Sequence, residues 1–218
     1  ANAIRRLAST TPNLKLLTLT GGRSVGPQLA SLAHVPQIVV GTPGRLQDHL
    51  RKSTLDLGAI RVLVLDEAVA SLDVSIQAQV LNLFMKLRRE LNLTALFISH
   101  DLSVVRHVCD RVAIMYLGRV VETAPADELY AKPMHPYTEA LFASVPTLGT
   151  GRANFHPIKG EIPSPITPPK GCAFHPRCPF AGPRCRTEVP RLVNPKDNRS
   201  VACHLHDGGT GAETGAAA

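Results

Sequence analysis

The chain has 218 residues, an apolar fraction of 44%, a charged fraction of 19% and a formal charge of +7. That length holds one large domain or one domain with an appendage, and its apolar share excludes general disorder. No apolar run approaches the roughly 20 residues that span a bilayer, and the N-terminus lacks the apolar segment of a secretory signal.

The expectation is therefore a cytoplasmic protein, with peripheral docking on the cytoplasmic membrane face left open. Trp is absent and aromatics make up only 4%, so Leu, Val, Ile and Ala must fill the core. Lys and Arg are spread along the chain, and the positive charge suits a solvated basic surface as well as nucleic acid.

Over residues 1–150 short apolar runs alternate with helix-like stretches, the pattern of βαβ units around a parallel sheet. Strands are predicted at 14–20, 37–41, 62–66, 95–99 and 112–117. Thr42-Pro43 makes a helix start, with threonine as cap and proline in the first turn. Between the third and fourth strands lies the strongest helical signal. Ile76, Val80, Phe84, Leu87 and Leu91 fall at steps of four, four, three and four. This stripe should face a sheet, with Lys86, Arg88 and Glu90 mostly outside.

Residues 151–206 are rich in Pro and Gly, lose the helical period and carry four of the five cysteines. Residues 207–218 read as a disordered small-residue tail. There is no internal repeat.

Arg61-Val62-Leu63-Val64-Leu65-Asp66-Glu67 is a run of branched apolar residues ending in two acids. Such a strand is covered on both faces, and acids at its carboxyl end sit where α/β sheets bind ligands. In nucleotide hydrolysis the first acid holds magnesium and the second orients or deprotonates the attacking water. Equally, Asp66 could serve only to cap the next helix.

The residues that follow discriminate. The strings Ser71-Leu72-Asp73-Val74-Ser75-Ile76-Gln77-Ala78-Gln79-Val80-Leu81 and Phe97-Ile98-Ser99-His100-Asp101-Leu102 resemble the ABC transporter ATPases of oligopeptide and dipeptide importers. The resemblance continues through Asp110–Glu122 and His135-Pro136-Tyr137-Thr138-Glu139-Ala140-Leu141, and reaches about His204. It implies that Asp66 and Glu67 are the Walker B pair and Ser71–Asp73 a D-loop. His100 is then the switch histidine at the γ-phosphate. ATP and Mg2+ become the cofactors; permease subunits and a second nucleotide-binding subunit become the partners.

Upstream the letters differ. Leu17-Thr18-Leu19-Thr20-Gly21-Gly22, Val40-Gly41-Thr42-Pro43-Gly44-Arg45 and Leu63-Val64-Leu65-Asp66-Glu67-Ala68 occur in that order. They resemble the first RecA-like domain of DEAD-box RNA helicases. The resemblance implies an RNA-backbone grip by Gly21, Gly22, Thr42, Gly44 and Arg45. Glycines let backbone N–H groups approach phosphate, and an arginine adds a charge-assisted bond. The fourth position of the acidic box holds Val69, and Ser99-His100 stands where the helicases carry Ser-Ala-Thr. The join is thus placed within residues 65–68.

No Gly-x-x-x-x-Gly-Lys-Ser/Thr occurs among the 218 residues, and no Leu-Ser-Gly-Gly-Gln. The first supplies the N–H cradle and lysine for the phosphates. The expectation is weak or no MgATP binding by this chain alone. Loss of a central strand, several aliphatic side chains worth roughly 1.5–3 kcal/mol each, should leave a compacted sheet or a self-associating edge.

Cys172, Cys178, Cys185 and Cys203 are separated by five, six and seventeen residues. In a reducing compartment such a cluster suggests a metal. The spacing is not that of a zinc ribbon, and four loop-borne cysteines also hold iron–sulfur clusters. The importer resemblance adds that some of those ATPases carry a 4Fe–4S cluster here; zinc, with His175 or His204, is the alternative. Cys109 reads as core.

The fold class expected is α/β: an incomplete RecA-like P-loop NTPase parallel sheet lacking the P-loop strand, plus a loop-rich Cys-containing C-terminal extension. The expected divisions are 1–68 (helicase-like), 69–132 (ABC ATPase), 133–206 (importer extension) and the tail. The function expected is a partial ATP-binding subunit of a peptide importer. An RNA-binding helicase fragment and an inactive fusion product are the alternatives.

Overall fold

Leu16–Leu19 (β1) and Ile38–Gly41 (β2) pair in parallel, Leu16 opposite Ile38 and Leu19 opposite Gly41. Parallel strands need a crossover, and Gly26–Leu32 (α1) lies on it. β2 runs directly into Pro43–Arg51 (α2), with Pro43 in the first turn. Thr42 is extended there, but its side chain makes no cap bond, contrary to expectation. The backbone fixes this corner instead: Thr42 N–H donates to Leu19 O, and Leu46 N–H to Thr42 O, each at 3.0 Å. A Cβ on Gly41 would fall 2.7 Å from Leu46 Cγ and 3.1 Å from Leu19 O, so only glycine lets the helix fold back here. Leu17, Leu19 and Leu55 form the local core with Leu32, Val39 and Leu46.

This computed structural model describes residues 15–20, 24–32, 36–56, 58, 60–70, 72–144, 158, 160–196 and 198–207. The chain divides into two compact units, 1–63 with 91–94, and 64–90 with 95–218. The expected disordered tail from 208 onward, Gly21-Gly22 and Ser71 lie outside the described residues.

Val62–Asp66 (β3) and Thr94–Ile98 (β4) form a two-stranded sheet. Thr94 N–H donates to Arg61 O near their starts and Glu67 N–H to Ile98 O at their ends, which makes them parallel. Between them runs Val74–Glu90 (α3). Its inward residues are Leu81 and Phe84, the latter against Phe97 with ring centres 6.2 Å apart. Ile76, Leu87 and Leu91 of the predicted stripe are exposed. Arg88, expected outside, turns in and donates to Val108 O at 3.1 Å and Asp110 Oδ1 at 3.3 Å. Leu81, Phe84 and Arg88 share one face of a helix as i, i+3 and i+7. The stripe is therefore rotated from the one that the apolar letters alone select.

After Leu102–Val108 (α4) come Arg111–Tyr116 (β5) and Arg119–Pro125 (β6). Leu117 and Gly118 have φ of 45° and 76°, the left-handed pair of a two-residue hairpin turn. Such a turn makes β5 and β6 antiparallel. The chain continues through Ala126–Ala131 (α5), Pro136–Ala143 (α6), a 3₁₀ turn at His175–Arg177 and Pro183–Thr187 (α7). It ends with Val193–Lys196 (β7) and Arg199–Val201 (β8). Sheet order is β5-β6-β8-β7.

The α/β class is therefore borne out, with every predicted strand present. The single parallel sheet is not what the described strands form: they make sheets of two, two and four. The hairpin turn commits β5 to an antiparallel partner.

The core of the second unit gathers Val112, Ile114, Tyr116, Val121, Ala124 and Leu129 around Phe174. Phe174, from the Pro-rich stretch, is 1% exposed and meets Tyr116 edge-on at 5.4 Å. Aromatic contact thus anchors the Pro-rich segment that carries the clustered cysteines. A buried ion pair adds a second anchor. Glu122 Oε1 accepts from Arg199 Nη2 at 3.0 Å, and its carboxylate also accepts from Met134 N–H and His135 N–H at 2.9 Å each.

Candidate functional site

The acids and the histidine singled out in the sequence lie at adjacent strand ends. Asp66 is the last residue of β3 and is exposed. Glu67 follows with φ of 49°, a backbone conformation that costs a non-glycine residue. Its N–H remains tied to Ile98 O at 3.0 Å, and its carbonyl accepts from Ala70 N–H at 3.2 Å. The turn swings the Glu67 carboxylate toward His100, just beyond β4. His100 Nδ1 stands 3.0 and 2.9 Å from the two carboxylate oxygens.

That hydrogen bond, and then the Glu67 charge itself, hold the His100 imidazolium above the usual histidine range. His100 remains accessible, 77% exposed against 42% for Glu67. The backbone following His100 is fixed as well. Asp101 caps α4, accepting from Ser103 N–H at 2.9 Å and Val104 N–H at 3.2 Å, while Ser99 Oγ accepts from Asp101 N–H. Strand end, histidine and helix start are consecutive, which gives an exposed side chain a fixed root.

Chemically the arrangement presents an oxygen-rich edge and a proton-bearing imidazole at one exposed strand edge. Exposed carboxylates suit a hydrated magnesium ion. Asp66 fits that role. Asp73, assigned with Ser71 to the D-loop by resemblance, caps α3, its Oδ1 accepting from Ile76 N–H at 3.0 Å. Val69, which replaces the fourth acid of the helicase box, is 3% exposed and serves as a packing residue.

In the first unit β1 leads toward Gly21-Gly22 and β2 into Thr42, Gly44 and Arg45. The Thr42–Leu19 backbone bond places the two strand ends side by side. Three buried or half-buried polar residues beside them, Gln28, His49 and Thr54, were not found by sequence reading. The only signal was His49 three residues after the inward Leu46.

The cysteines behave differently from expectation. No group of three or more His, Cys, Asp or Glu among the described residues is placed to hold a metal ion. Burial pushes the Cys172, Cys178 and Cys203 thiols up, Cys203 to about 12, and neighbouring cysteines raise each further. The four thiols therefore share a neighbourhood without forming a ligand shell. His175 Nδ1 points to Cys172 O at 2.9 Å, while His204 lies between Asp207 at 2.9 Å and Glu188 O at 3.0 Å. The 4Fe–4S and zinc expectations find no fit here. Cys109, read as core, packs against the main core at the end of α4.

Among the described residues no helix is long and apolar enough to cross a membrane.

Comparison with known proteins gives two families in the order the motifs gave. Residues 1–100 match the DEAD/DEAH box helicase family, and residues 121–185 match the oligopeptide/dipeptide transporter C-terminal region. The helicase match runs past the join placed at 65–68, into β4. A probable peptide ABC transporter ATP-binding protein of Sinorhizobium fredii is 59% identical over 145 residues, covering 66% of this chain and 41% of the relative. The oligopeptide transport ATP-binding protein AppF of Bacillus subtilis is 53% identical, covering 66% and 45%. The di/tripeptide transport ATP-binding protein DppF of Pseudomonas aeruginosa is 54% identical over the same shares. The chain thus spans less than half the length of these relatives. A hypothetical ATP-dependent RNA helicase from Sulfolobus tokodaii superposes with a TM-score of 0.38 at 24% identity, over 50% of this chain and 33% of that one, a likeness too slight to build on.

Proposed function

We propose that the second unit is the acid-and-histidine half of a nucleotide site in a peptide-importer ATPase. The observation that carries this reading is the Glu67–His100 bond across neighbouring strand ends, 33 residues apart in sequence. Glu67 orients and polarises the attacking water, and His100 donates a proton-bearing nitrogen toward the terminal phosphate. Asp66 would hold a magnesium ion, which supplies charge neutralisation for the phosphates when bound. Ser71 belongs to the same loop, and Asp73 acts through the start of α3. Divisions at 1–68, 69–132 and 133–206 express the same reading, of an incomplete RecA-like sheet with an importer extension.

The partners are a permease, a second nucleotide-binding subunit and a polypeptide bearing a phosphate loop. The chain alone, having no such loop in its 218 residues, should not retain MgATP. Val64, Leu96 and Ile98 expose apolar surface on β3 and β4, and this favours self-association of the isolated chain.

The test adds a separately expressed phosphate-loop half of an importer ATPase such as DppF and follows phosphate release. Hydrolysis that appears on mixing and is lost with Glu67→Gln or His100→Ala supports the proposal. Hydrolysis indifferent to both substitutions refutes it, as does micromolar MgATP binding by the unmixed chain in calorimetry.

A second reading concerns the first unit alone. The side-by-side ends of β1 and β2 bring Thr20 and the Thr42–Arg45 segment out from neighbouring strands, which favours a grip on an RNA backbone. Salt-sensitive binding of a single-stranded oligonucleotide, weakened by Arg45→Ala, tests it.

A further inference from the structure

In the first unit a polar chain crosses otherwise apolar packing. His49 is 1% and Gln28 6% exposed. His49 Nδ1 lies 2.9 Å from Thr54 Oγ1, and His49 Nε2 lies 3.1 Å from Gln28 Oε1. Gln28 Nε2 in turn donates to Thr20 O over a long 3.5 Å. The proton positions follow from the partners. Thr20 O can only accept, so the Gln28 amide nitrogen faces it and the Gln28 oxygen faces the histidine. Nε2 of His49 must then carry hydrogen, leaving Nδ1 to accept from the Thr54 hydroxyl. The same hydroxyl lies 3.1 Å from His49 O, a second acceptor for its one hydrogen.

The contacts thus run from Thr54 through His49 and Gln28 to the carbonyl of Thr20. It joins the last turn of α2 to α1 and to the residue that leads into Gly21. The opposite end of α2 carries Thr42 and Arg45. One helix is therefore tied at its start to β1, through Thr42 N–H and Leu19 O, and at its end to the segment that follows β1.

We propose that Gln28 and His49 are positioning residues for the phosphate-backbone grip, setting Thr20, at the end of β1, relative to α2. This rests on the RNA reading of the first unit. A buried relay can do this because breaking one link strands a polar group on each side.

The test uses the full chain and a fluorescein-labelled single-stranded oligouridylate, read by anisotropy across a salt series. Gln28→Leu should weaken binding about tenfold while leaving the salt slope unchanged. Arg45→Ala should weaken binding and lower the slope by about one. His49→Gln, which can still donate and accept, should restore most of what His49→Leu loses. Leu55→Ala, a core change in the same unit, controls for destabilisation alone: at a temperature where it is folded it should bind as the parent does. Native binding by Gln28→Leu, or equal loss in Leu55→Ala, overturns the relay inference while leaving the RNA reading intact. No binding by the parent chain refutes the RNA reading. The relay is then judged by hydrogen exchange: protection of the Thr42 amide that falls in Gln28→Leu but not in Leu55→Ala upholds the positioning, and equal protection overturns it.

Discussion

Replacing Glu122 with alanine should remove most of the stability of the second unit. The carboxylate is fully buried and accepts three hydrogen bonds: two from the backbone N–H groups of Met134 and His135, one from Arg199. Arg199 is itself 5% exposed, its Nε has no partner, and its remaining bond runs to Lys132 O at 2.6 Å. Alanine would leave a buried guanidinium without its counter-charge and two amides without acceptors.

Breaking a buried pair in this way costs about 3–5 kcal/mol, against a whole-domain stability of roughly 5–15 kcal/mol. With a urea slope of about 2 kcal/mol/M, the midpoint should fall by about 2 M. All three tyrosines, Tyr116, Tyr130 and Tyr137, lie in this unit, so near-ultraviolet circular dichroism reports its unfolding alone. Arg199→Met should cost far less in the Glu122→Ala background than in the parent, because the stranded charge is gone. A single-site cost under about 1 kcal/mol, or additivity within about 0.5 kcal/mol, would refute the reasoning.

Burial lowers the His135 imidazole to about 4, against a weaker upward pull from Glu122 and a further downward push from His206. The folded state therefore binds its proton later than the unfolded chain, whose histidine titrates near 6.5. Stability should be intact above that value and fall as pH drops from about 6.5 to 4, by about 3 kcal/mol in all; His135→Asn, which still caps α6, should flatten the curve. For His100 the sign is opposite. Its folded value is raised by Glu67, so the bond is fully formed below the ordinary histidine range and is lost as pH rises through the raised value. In NMR the His100 titration should move down toward 6.5 in Glu67→Gln, and an unmoved midpoint would remove the pair. Cys203, pushed up to about 12 by burial, should carry about a thousandfold less thiolate than a free thiol at pH 8. Alkylation by iodoacetamide at the rate of free cysteine would contradict its burial.

Local letters announced much of this molecule. The runs at Leu16–Leu19, Ile38–Gly41, Val62–Asp66, Thr94–Ile98 and Arg111–Tyr116 are apolar enough to read as strands directly. The acids of β3 and the histidine after β4 stood out because residue type and position relative to a strand end suffice to mark them. What stayed hidden depends on partners distant in sequence. Arg119–Pro125 was not read as a strand because its pairing comes from a left-handed turn at Leu117-Gly118, and Leu117 is not a residue that advertises positive φ. The face of α3 was misplaced because Arg88 finds acceptors at Val108 and Asp110 that only the folded chain supplies.

The sequence by itself determined the α/β class, the strand positions, the two family resemblances and the placing of Asp66, Glu67 and His100 at strand ends, because these follow from short-range pattern. Tertiary structure alone decided that Asp73 caps a helix, that Phe174 and the Glu122–Arg199 pair anchor the Pro-rich extension, and that burial raises the Cys172, Cys178 and Cys203 thiols. Burial and hydrogen-bond closure between residues as far apart as 122 and 199 are properties of the fold, and no local window of letters carries them.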